Sequence, residues 1–436
     1  MASFTPAPTP FAPRSSGQVT IYRGASVIDG TGAPARRGLA VVTDGPAISA
    51  VVPDSELTRS DLDGAETVDL DGAFLLPGLI DTHQHLSTPP NRAQAELAMR
   101  RQVYGGVTAI REMAGDLRQL ADLERAALIG EIPGPDLYAA ALMAGPSFFE
   151  DERTWQVTQG TTPGTAPWML AVDDGTDLRL AVAAARGTGA VAIKIYANLE
   201  PALVSAIAAE AHRQGLQVWA HAAVFPAKPA EVVAAGVDVV SHAHLLAYHT
   251  GDLRPPAYHG QRDQLAEAYR RFLDAPDEAV AELFAAMRER GTILDATASV
   301  VERIPLSPPG AEGLARDVLR RLVDHARRAG VPICAGTDFE QPWEEDYPSL
   351  HEELGYLVDE LGMPPAEVVR AATLNGAAAI GRESSMGSVH PGKLANLLVV
   401  EGDPQQDISQ LRRIITTVKR GRRYDRATYD KEGERA

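Results

Sequence analysis

Short apolar runs alternate with Ala-, Glu- and Arg-rich stretches through most of the chain, and this alternation predicts repeated βα units. The candidate strands begin near Leu76, Val107, Asp136, Val191, Leu216, Val237, Thr292 and Val331. The helical stretches between and after them include residues 94–104, 117–129, 201–214, 277–290, 315–329 and 350–361. Eight such units predict an α/β fold built on a (β/α)8 TIM-like barrel.

A second pattern marks both ends of the chain, where short β-rich pieces are separated by Gly, Pro and Asp turns. It runs from residue 18 to residue 70 and returns at residues 396–400 and 414–418. We therefore predict a small β-sandwich domain formed from residues 18–72 and 386–424, with the catalytic barrel at residues 73–385. Residues 1–17, rich in Pro, Ala and Ser, are predicted to be a disordered tail, and residues 425–436 a C-terminal tail.

Two connections are longer than ordinary barrel loops, at residues 143–175 after the third strand and 245–276 after the sixth. Both follow strands, so they are expected on the C-terminal face, where barrel enzymes place their chemistry. They carry the aromatic residues Phe148, Phe149, Trp155, Trp168, Tyr248 and Tyr258. We expect these side chains to enclose the apolar part of a substrate.

The composition narrows the range of partners. The 436-residue chain is 45% hydrophobic and has a formal net charge of −17, which argues against nucleic acids and anionic membranes as partners. Its single cysteine, Cys334, cannot form an internal disulfide. No stretch approaches the roughly 18 apolar residues of a membrane span, and the N-terminus lacks the features of a signal peptide. We therefore expect a cytoplasmic protein that binds a small molecule and can form a homo-oligomer.

The first barrel strand ends in His83 and His85, which are spaced i and i+2. Residues two apart in a strand point to the same face, so both imidazoles are expected to point into the mouth of the barrel. Two neutral imidazoles on one side suit zinc or a similar divalent ion. The alternative is a coincidental histidine pair at the end of a strand.

Lys194 lies inside an apolar strand, where an unpaired ammonium group is costly. Carbamylation by CO₂ would explain why a lysine stands inside this strand. The reaction turns the amine into an anion whose two oxygens can bridge two metals. The alternative is a lysine whose buried stem carries its head group to solvent at the rim of the barrel.

Three further strands end in residues that can bind a metal. His221 ends the fifth strand, and Asp338 follows the eighth. His242 and His244 both follow the sixth strand and share a face, and we favour His242 because the strand is expected to end just before it. Taken singly, the histidines could be satisfied core residues and Asp338 a helix cap.

Together these residues resemble the amidohydrolase superfamily, in its two-metal form with a carbamylated lysine. The resemblance runs from about residue 18 to residue 424 and includes residues 371–378 and 387–397. It looks closest to the branch of prolidase-like dipeptidases and related N-acyl amino acid hydrolases. Glu112 and Asn396 stand where these relatives commonly have Asp, and His390 where Glu is common.

The resemblance implies two divalent ions, with zinc the expected metal. His83, His85, the Lys194 carbamate and Asp338 would hold one of them. The carbamate, His221 and His242 would hold the other. A bridging hydroxide activated by both metals would cleave an amide bond.

The expected mechanism also gives a role to each of two residues near the metals. Asp338 would act as general base and then as general acid. Tyr196, two residues after Lys194, would hydrogen-bond to the developing oxyanion, unless it is only a packed aromatic residue at the rim.

The expected substrate is a small amide with a free carboxylate, such as a dipeptide or an N-acyl amino acid. Arg111, Arg153 and Arg254 are candidates for binding that carboxylate. The alternatives are a one-metal hydrolase that resembles imidazolonepropionase or a deaminase, and a lactonase or phosphotriesterase that uses the same site. A non-catalytic scaffold is disfavoured because all six candidate ligands are present.

Overall fold

The computed structural model of the chain describes residues 18–304, 312–339 and 345–430. The predicted N-terminal tail, residues 1–17, lies outside these ranges. The strands, in chain order, are β1 Val19–Val27, β2 Arg36–Asp44, β3 Ala47–Pro53, β4 Glu66–Asp69, β5 Phe74–Pro77, β6 Leu79–Gln84, β7 Val107–Met113, β8 Asp136–Ala144, β9 Thr165–Ala166, β10 Met169–Ala171, β11 Ala192–Ile195, β12 Gln217–His221, β13 Val239–Ser241, β14 Ile293–Asp295, β15 Ile333–Cys334, β16 Leu397–Val400, β17 Ile414–Lys419 and β18 Arg422–Asp425.

Eight parallel strands form the barrel, in the order β6, β7, β8, β11, β12, β13, β14 and β15. Two backbone hydrogen bonds connect its last segment to its first: the Thr82 amide donates to the Ala335 carbonyl at 3.0 Å, and the Asp338 amide to the His83 carbonyl at 2.9 Å. The barrel strands are almost continuously apolar and buried, because a parallel sheet is covered on both faces. The predicted barrel is confirmed.

A separate eight-stranded sheet is built from both ends of the chain, as predicted. Its order is β18, β17, β16, β5, β1, β2 and β3, with β4 beside β1. Buried ion pairs join this sheet to the start of β8, because Lys419 and Arg420 both contact the Asp136 carboxylate, at 3.0 and 2.9 Å. These ion pairs therefore join the barrel to a sheet that contains strands from both ends of the chain.

The first predicted strand is in fact two strands, separated at Gly78. β5 before this glycine belongs to the sheet formed by the chain ends, and β6 after it begins the barrel. A Cβ atom at Gly78 would overlap the Thr108 side chain, so the chain passes between the two sheets at a residue without a side chain.

The helices are α1 Arg59–Leu62, α2 Arg92–Tyr104, α3 Leu117–Ile129, α4 Glu152–Val157, α5 Leu178–Gly187, α6 Pro201–Arg213, α7 Pro229–Ala234, α8 Gln261–Asp274, α9 Asp277–Arg290, α10 Glu312–Ala329, α11 Leu350–Asp359, α12 Pro365–Arg370 and α13 Gly376–Ala379. Side chains of Asn91, Asp116 and Asp177 cap the first turns of α2, α3 and α5. Of the helices within the described ranges, none combines the length and the apolar character needed to cross a bilayer.

Two segments, one long connection and the predicted C-terminal tail, are more structured than the sequence pattern predicts. The segment at 245–276 contains α8, whose Leu265, Tyr269 and Phe272 are buried at helical spacing against the barrel. The predicted C-terminal tail overlaps a 3-10 helix, Arg426–Thr428, and the following Tyr429 stacks against Tyr104 at 5.3 Å between ring centroids. Residues 431–436 lie outside the described ranges.

Candidate metal centre

The ends of three barrel strands, β6, β12 and β13, bring the predicted histidines together. The ring centroids of His83 and His85 are 5.5 Å apart, those of His83 and His242 are 4.8 Å apart, and those of His221 and His242 are 4.5 Å apart. The strand ends are adjacent because the barrel is parallel, so side chains distant in sequence share one mouth.

Asp338 lies at the centre of this group. Its Oδ1 is 3.0 Å from Nε2 of His85 and 3.3 Å from Nε2 of His83, and its Oδ2 is 3.8 Å from Nδ1 of His242. One ligand atom each from His83, His85 and Asp338 lie within 4.8 Å of one another. Burial alone would raise the pKa of Asp338, but the neighbouring histidines hold it well below its usual range, so the carboxylate is ionised.

Backbone conformation aims two of these side chains. His242 and Asp338 both adopt left-handed backbone angles, with φ of 68° and 61°. Non-glycine residues take this conformation rarely and at an energetic cost, and they do so most often at functional sites. The strained backbone turns both side chains inward, at His242 directly after β13 and at Asp338 four residues after the end of β15.

Lys194 is buried beneath the histidines with no exposed surface, and its Nζ has no hydrogen-bond partner among the described residues. Burial, and then the charge of Arg111, lower the pKa of Lys194 to about 7. A head group that reaches solvent at the rim does not fit this side chain.

The two remaining histidines stay neutral. Burial lowers the pKa of His221 and that of His242 well below the usual value. His242 Nδ1 hydrogen-bonds to Thr297 Oγ1 at 3.0 Å. The ring contacts with His83 and His221 given above are made by His242, whereas the ring of His244 lies 6.1 Å from that of His242. The geometry therefore favours His242 over His244 as the ligand.

The donor set fits divalent cations. It combines imidazoles with an ionised carboxylate, and it leaves Nδ1 of His85, Nδ1 of His221 and Nζ of Lys194 buried without hydrogen bonds among the described residues. Buried polar atoms without partners are costly, and bound metal or a modified lysine would satisfy atoms of this kind.

Asp295, at the end of β14, was missed by the sequence analysis. It is fully buried and accepts hydrogen bonds from His83 Nδ1, Thr82 Oγ1 and Ser241 Oγ, each at 2.8 Å. It thereby holds His83 with Nε2 facing Asp338. Asp295 could have been predicted from the sequence, because it is a polar residue at the end of an apolar strand. The other strand-end candidates were identified by the same feature.

Arg111 cannot bind a substrate carboxylate, which corrects one of the three arginine candidates. It has no exposed surface, its Nη2 contacts Asp295 Oδ2 at 2.6 Å, and its guanidinium lies 4.8 Å from the Trp219 ring. Arg254 is engaged by Glu231 through two contacts of 3.0 Å and does not line the cavity. Arg153 lines it, and so does Arg303, which the sequence analysis did not consider.

A cavity of about 400 Å³ opens above the cluster. Its walls combine His85, His242 and Asp338 with Tyr196, Tyr258 and the apolar side chains of Leu142, Phe148, Val157, Met169, Leu245 and Leu265. Burial raises the pKa of Tyr196 well above its usual value, so its hydroxyl stays protonated.

The predicted aromatic enclosure is correct for two of its six members. Phe148 and Tyr258 line the cavity. Phe149 packs behind Phe148 at 5.4 Å, and Tyr248 packs against Phe225 at 4.9 Å. Trp155 and Trp168 also lie outside the cavity lining: Trp155 is 57% exposed, and Trp168 is covered by the Arg118 guanidinium at 4.6 Å.

Comparison with known proteins agrees with this architecture. A model described as the amidohydrolase family matches residues 74–424. Ochratoxinase of Aspergillus niger is 26% identical over 473 residues, covering 95% of this chain and 88% of that protein. Imidazolonepropionase of Pseudomonas aeruginosa is 28% identical over 379 residues, covering 82% and 86%.

Solved structures show the same fold. The crystal structure of A. niger ochratoxinase matches with a TM-score of 0.73 at 21% identity, covering 96% of this chain and 98% of that chain. The structure of a Xaa-Pro dipeptidase with bound methionine matches with a TM-score of 0.70 at 23% identity, covering 94% and 100%.

Proposed function

The chain belongs to the amidohydrolase family, and on that basis we propose that it is a binuclear, zinc-dependent hydrolase that cleaves an amide bond next to a free carboxylate. The observation that carries the proposal is the position of Lys194. It is fully buried and unpaired among the described residues, and it lies close enough to His83, His85, His221 and His242 for its charge to act on all four. A cation there would repel metals, whereas a carbamate would bind them.

The ligands would divide into two sets that share the lysine. His83, His85 and Asp338 would hold one metal, His221 and His242 the other, and the Lys194 carbamate both. When bound, two divalent cations lower the pKa of a water and polarise a substrate carbonyl. Nitrogen and carboxylate ligands of this kind suit zinc.

Asp338 is the residue that moves the proton. Its carboxylate is half-buried at the floor of the cavity and is ionised, so it can accept a proton from the attacking water. It can then deliver that proton to the leaving nitrogen, because Asp338 is one of the residues that line the cavity. Tyr196, in the cavity wall, contributes to the stabilisation of negative charge on the carbonyl oxygen.

The substrate class follows from the cavity and from the relatives. The apolar walls suit an acyl group or side chain, and Arg153 presents a guanidinium for a carboxylate, although Asp151 already pairs with it. The names ochratoxinase and Xaa-Pro dipeptidase describe hydrolysis of other compounds by those proteins, and they support a dipeptide or an N-acyl amino acid for this chain.

The direct test is a screen of the purified, zinc-loaded protein against dipeptides and N-acyl amino acids. Each active compound is then compared with its methyl ester or amide. We expect kcat/KM to fall for the blocked compound. Equal values would remove the carboxylate from the proposal, and an inactive panel would remove the amide substrate.

A second candidate is a one-metal hydrolase acting on a cyclic amide, or a deaminase. Two observations favour it. Among the described residues, the only group of three or more His, Cys, Asp or Glu ligand atoms that all lie within 4.8 Å of one another comes from His83, His85 and Asp338, and one relative is an imidazolonepropionase. The number of bound metal ions separates the two candidates. The one-metal hydrolase would bind one ion per chain, and the binuclear hydrolase would bind two.

A further inference from the structure

The end of strand β14 contacts one candidate ligand of each proposed metal. Asp295, the last residue of the strand, binds Nδ1 of His83 at 2.8 Å. Thr297, two residues later, has no exposed surface, and its Oγ1 hydrogen-bonds to Nδ1 of His242 at 3.0 Å. A metal-binding histidine usually has its other ring nitrogen hydrogen-bonded, and that partner fixes the orientation of the ring. The Thr297 hydroxyl is therefore placed as such a partner for His242.

The backbone of Thr297 adopts a conformation that threonine seldom takes. Its φ is 40°, and a positive φ at a β-branched residue is an outlier. Strain of this kind persists only where the surrounding contacts fix the backbone, and it is concentrated at functional sites. The position of the Thr297 hydroxyl therefore depends on the groups that hold the segment after β14.

Glu353 is one of these groups. It lies in the first turn of α11, and its side chain is fully buried. Its Oε1 accepts a hydrogen bond from the backbone amide of Ala298 at 2.8 Å, and its Oε2 accepts one from the amide of Ser299 at 2.7 Å. These are the two residues directly after Thr297, so a single carboxylate fixes the backbone on that side of the threonine.

Backbone hydrogen bonds fix the other side. Ala296, directly before Thr297, donates its amide to the Cys334 carbonyl at 3.2 Å. The Ala296 carbonyl accepts the amide of Ala243 at 3.2 Å, and Ala243 directly follows His242. The segment that carries the threonine is therefore joined to the segment that carries the histidine.

We propose that Glu353 and Thr297 are positioning residues for His242. Glu353 holds the segment after β14 through its backbone amides. The Thr297 hydroxyl then turns the His242 imidazole so that Nε2 is the nitrogen that would bind the metal shared with His221. The proposal rests on the binuclear site of the proposed function and deepens it, since it names what controls the binding of one of the two metals.

The first test replaces Thr297 with Val, which keeps the branched side chain at the strained backbone but removes the hydroxyl. Competition of the wild-type protein with a chelating dye should show two zinc ions per chain. Thr297→Val should raise the Kd of one ion by about 10–100-fold and leave that of the other unchanged. Thr297→Ser keeps the hydroxyl and should bind both ions as wild type does. His242→Ala identifies the affected ion, because this variant should lose the same one.

The second test replaces Glu353 with Gln. The amide oxygen of glutamine can accept one of the two backbone hydrogen bonds, but its NH₂ group cannot accept the other. Glu353→Gln should therefore weaken the same ion as Thr297→Val does. The double variant should bind that ion about as weakly as the weaker single variant, because both residues act through one imidazole. Excess zinc should refill the site in each variant, since every ligand is still present.

Two controls separate positioning from general stability. Thr373→Val also removes a buried hydroxyl, which donates to the Val369 carbonyl at 2.7 Å and does not line the cavity. Glu367→Gln removes a carboxylate from an ion pair with Arg327 at the surface, where the Glu367 side chain is 47% exposed. Neither control should change the Kd of either ion. If Glu353→Gln does not fold, the comparison of Thr297→Val with Thr297→Ser decides.

The outcomes distinguish this inference from the proposed function. If Thr297→Val and Glu353→Gln bind both ions as tightly as wild type, or weaken both ions equally, the positioning role is wrong, and a wild-type protein that cleaves an amide keeps the proposed function. If wild-type protein binds two ions but cleaves no amide in the panel, the amidase function is wrong, and selective loss of one ion in the variants still supports the positioning role. A single ion in wild-type protein would overturn both.

Discussion

Replacing Asp295 with Asn tests whether the buried ion pair beneath the metal centre supports both stability and metal binding. The Asp295 carboxylate accepts hydrogen bonds from His83, Thr82 and Ser241, and its Oδ2 lies 2.6 Å from Arg111 Nη2. Burial opposes its ionisation, but the charge of Arg111 and the hydrogen bond from His83 hold the pKa of Asp295 well below its usual range.

The expected cost follows from what the substitution leaves behind. The side chains of Asp295 and Arg111 have no exposed surface. Arg111 also donates to the Thr82 carbonyl and to Ser241 Oγ, but neither group carries a negative charge. Leaving a buried cation without its anion typically costs about 3–5 kcal/mol, so we expect the free energy of unfolding to fall by that amount.

The effect on metal binding has a separate cause. Asp295 binds Nδ1 of His83 and so keeps Nε2 directed at Asp338. Loss of such an orienting partner usually weakens metal binding by about 10–100-fold. Urea denaturation of metal-free protein measures the first effect, and competition with a chelating dye measures the second.

An exposed ion pair supplies the control. Arg413 and Glu401 form a pair whose side chains are 58% and 51% exposed, and Glu401→Gln should cost less than about 1 kcal/mol. If Asp295→Asn costs no more than Glu401→Gln and binds metal as tightly as wild type, the ion pair does not support the site.

Four further results are expected. Metal analysis of protein from zinc-supplemented medium should give close to two ions per chain, and a value near one with full activity would contradict the binuclear site. Lys194→Ala should abolish turnover, and short carboxylic acids should partly restore it; wild-type turnover in this variant would exclude the bridging role. Asp338→Asn should lower kcat by about 10²–10⁴-fold while keeping much of the metal, and a loss explained wholly by missing metal would exclude proton transfer. His212→Gln should lower the unfolding free energy at pH 5.5 by less than about 1 kcal/mol and by less still at pH 8.5. The hydrogen bond to Asp238 raises the pKa of His212 above 6.5, so its stabilisation is present below pH 6.5 and is lost as the pH rises through the folded-state pKa. An equal effect at both pH values would contradict this.

Most barrel strands and several helices could be predicted from sequence because their patterns are local. The helices Leu117–Ile129 and Asp277–Arg290 have the predicted bounds. The candidate ligands were found by the same logic, since a polar residue at the end of a buried strand is conspicuous. Helix α8 was missed because its apolar positions are separated by charged residues, which made the segment resemble an insertion.

Asp295 shows what a local sequence pattern does not reveal. Thr82 and Asp295 are 213 residues apart in sequence, yet their side chains meet at 2.8 Å because closure of the barrel brings β14 close to β6. Gly336 is part of the same contact, since a Cβ atom there would overlap both Asp295 and His83. A sequence pattern identifies side chains that recur at equivalent positions of successive strands. The candidate metal ligands at the strand ends are of this kind.

Residues that orient those ligands, such as Asp295, do not recur from strand to strand. Their positions depend on the register between strands, which the sequence pattern does not give. Glu112 could be identified from the sequence, but its role could not. Glu112 stands where the relatives that the sequence resembles commonly have Asp, but its role follows only from the fold. Its buried carboxylate accepts a hydrogen bond from the backbone amide of Leu86, the residue directly after His85, at 2.8 Å. A substitution of Glu112 is therefore expected to alter the position of His85 through the backbone.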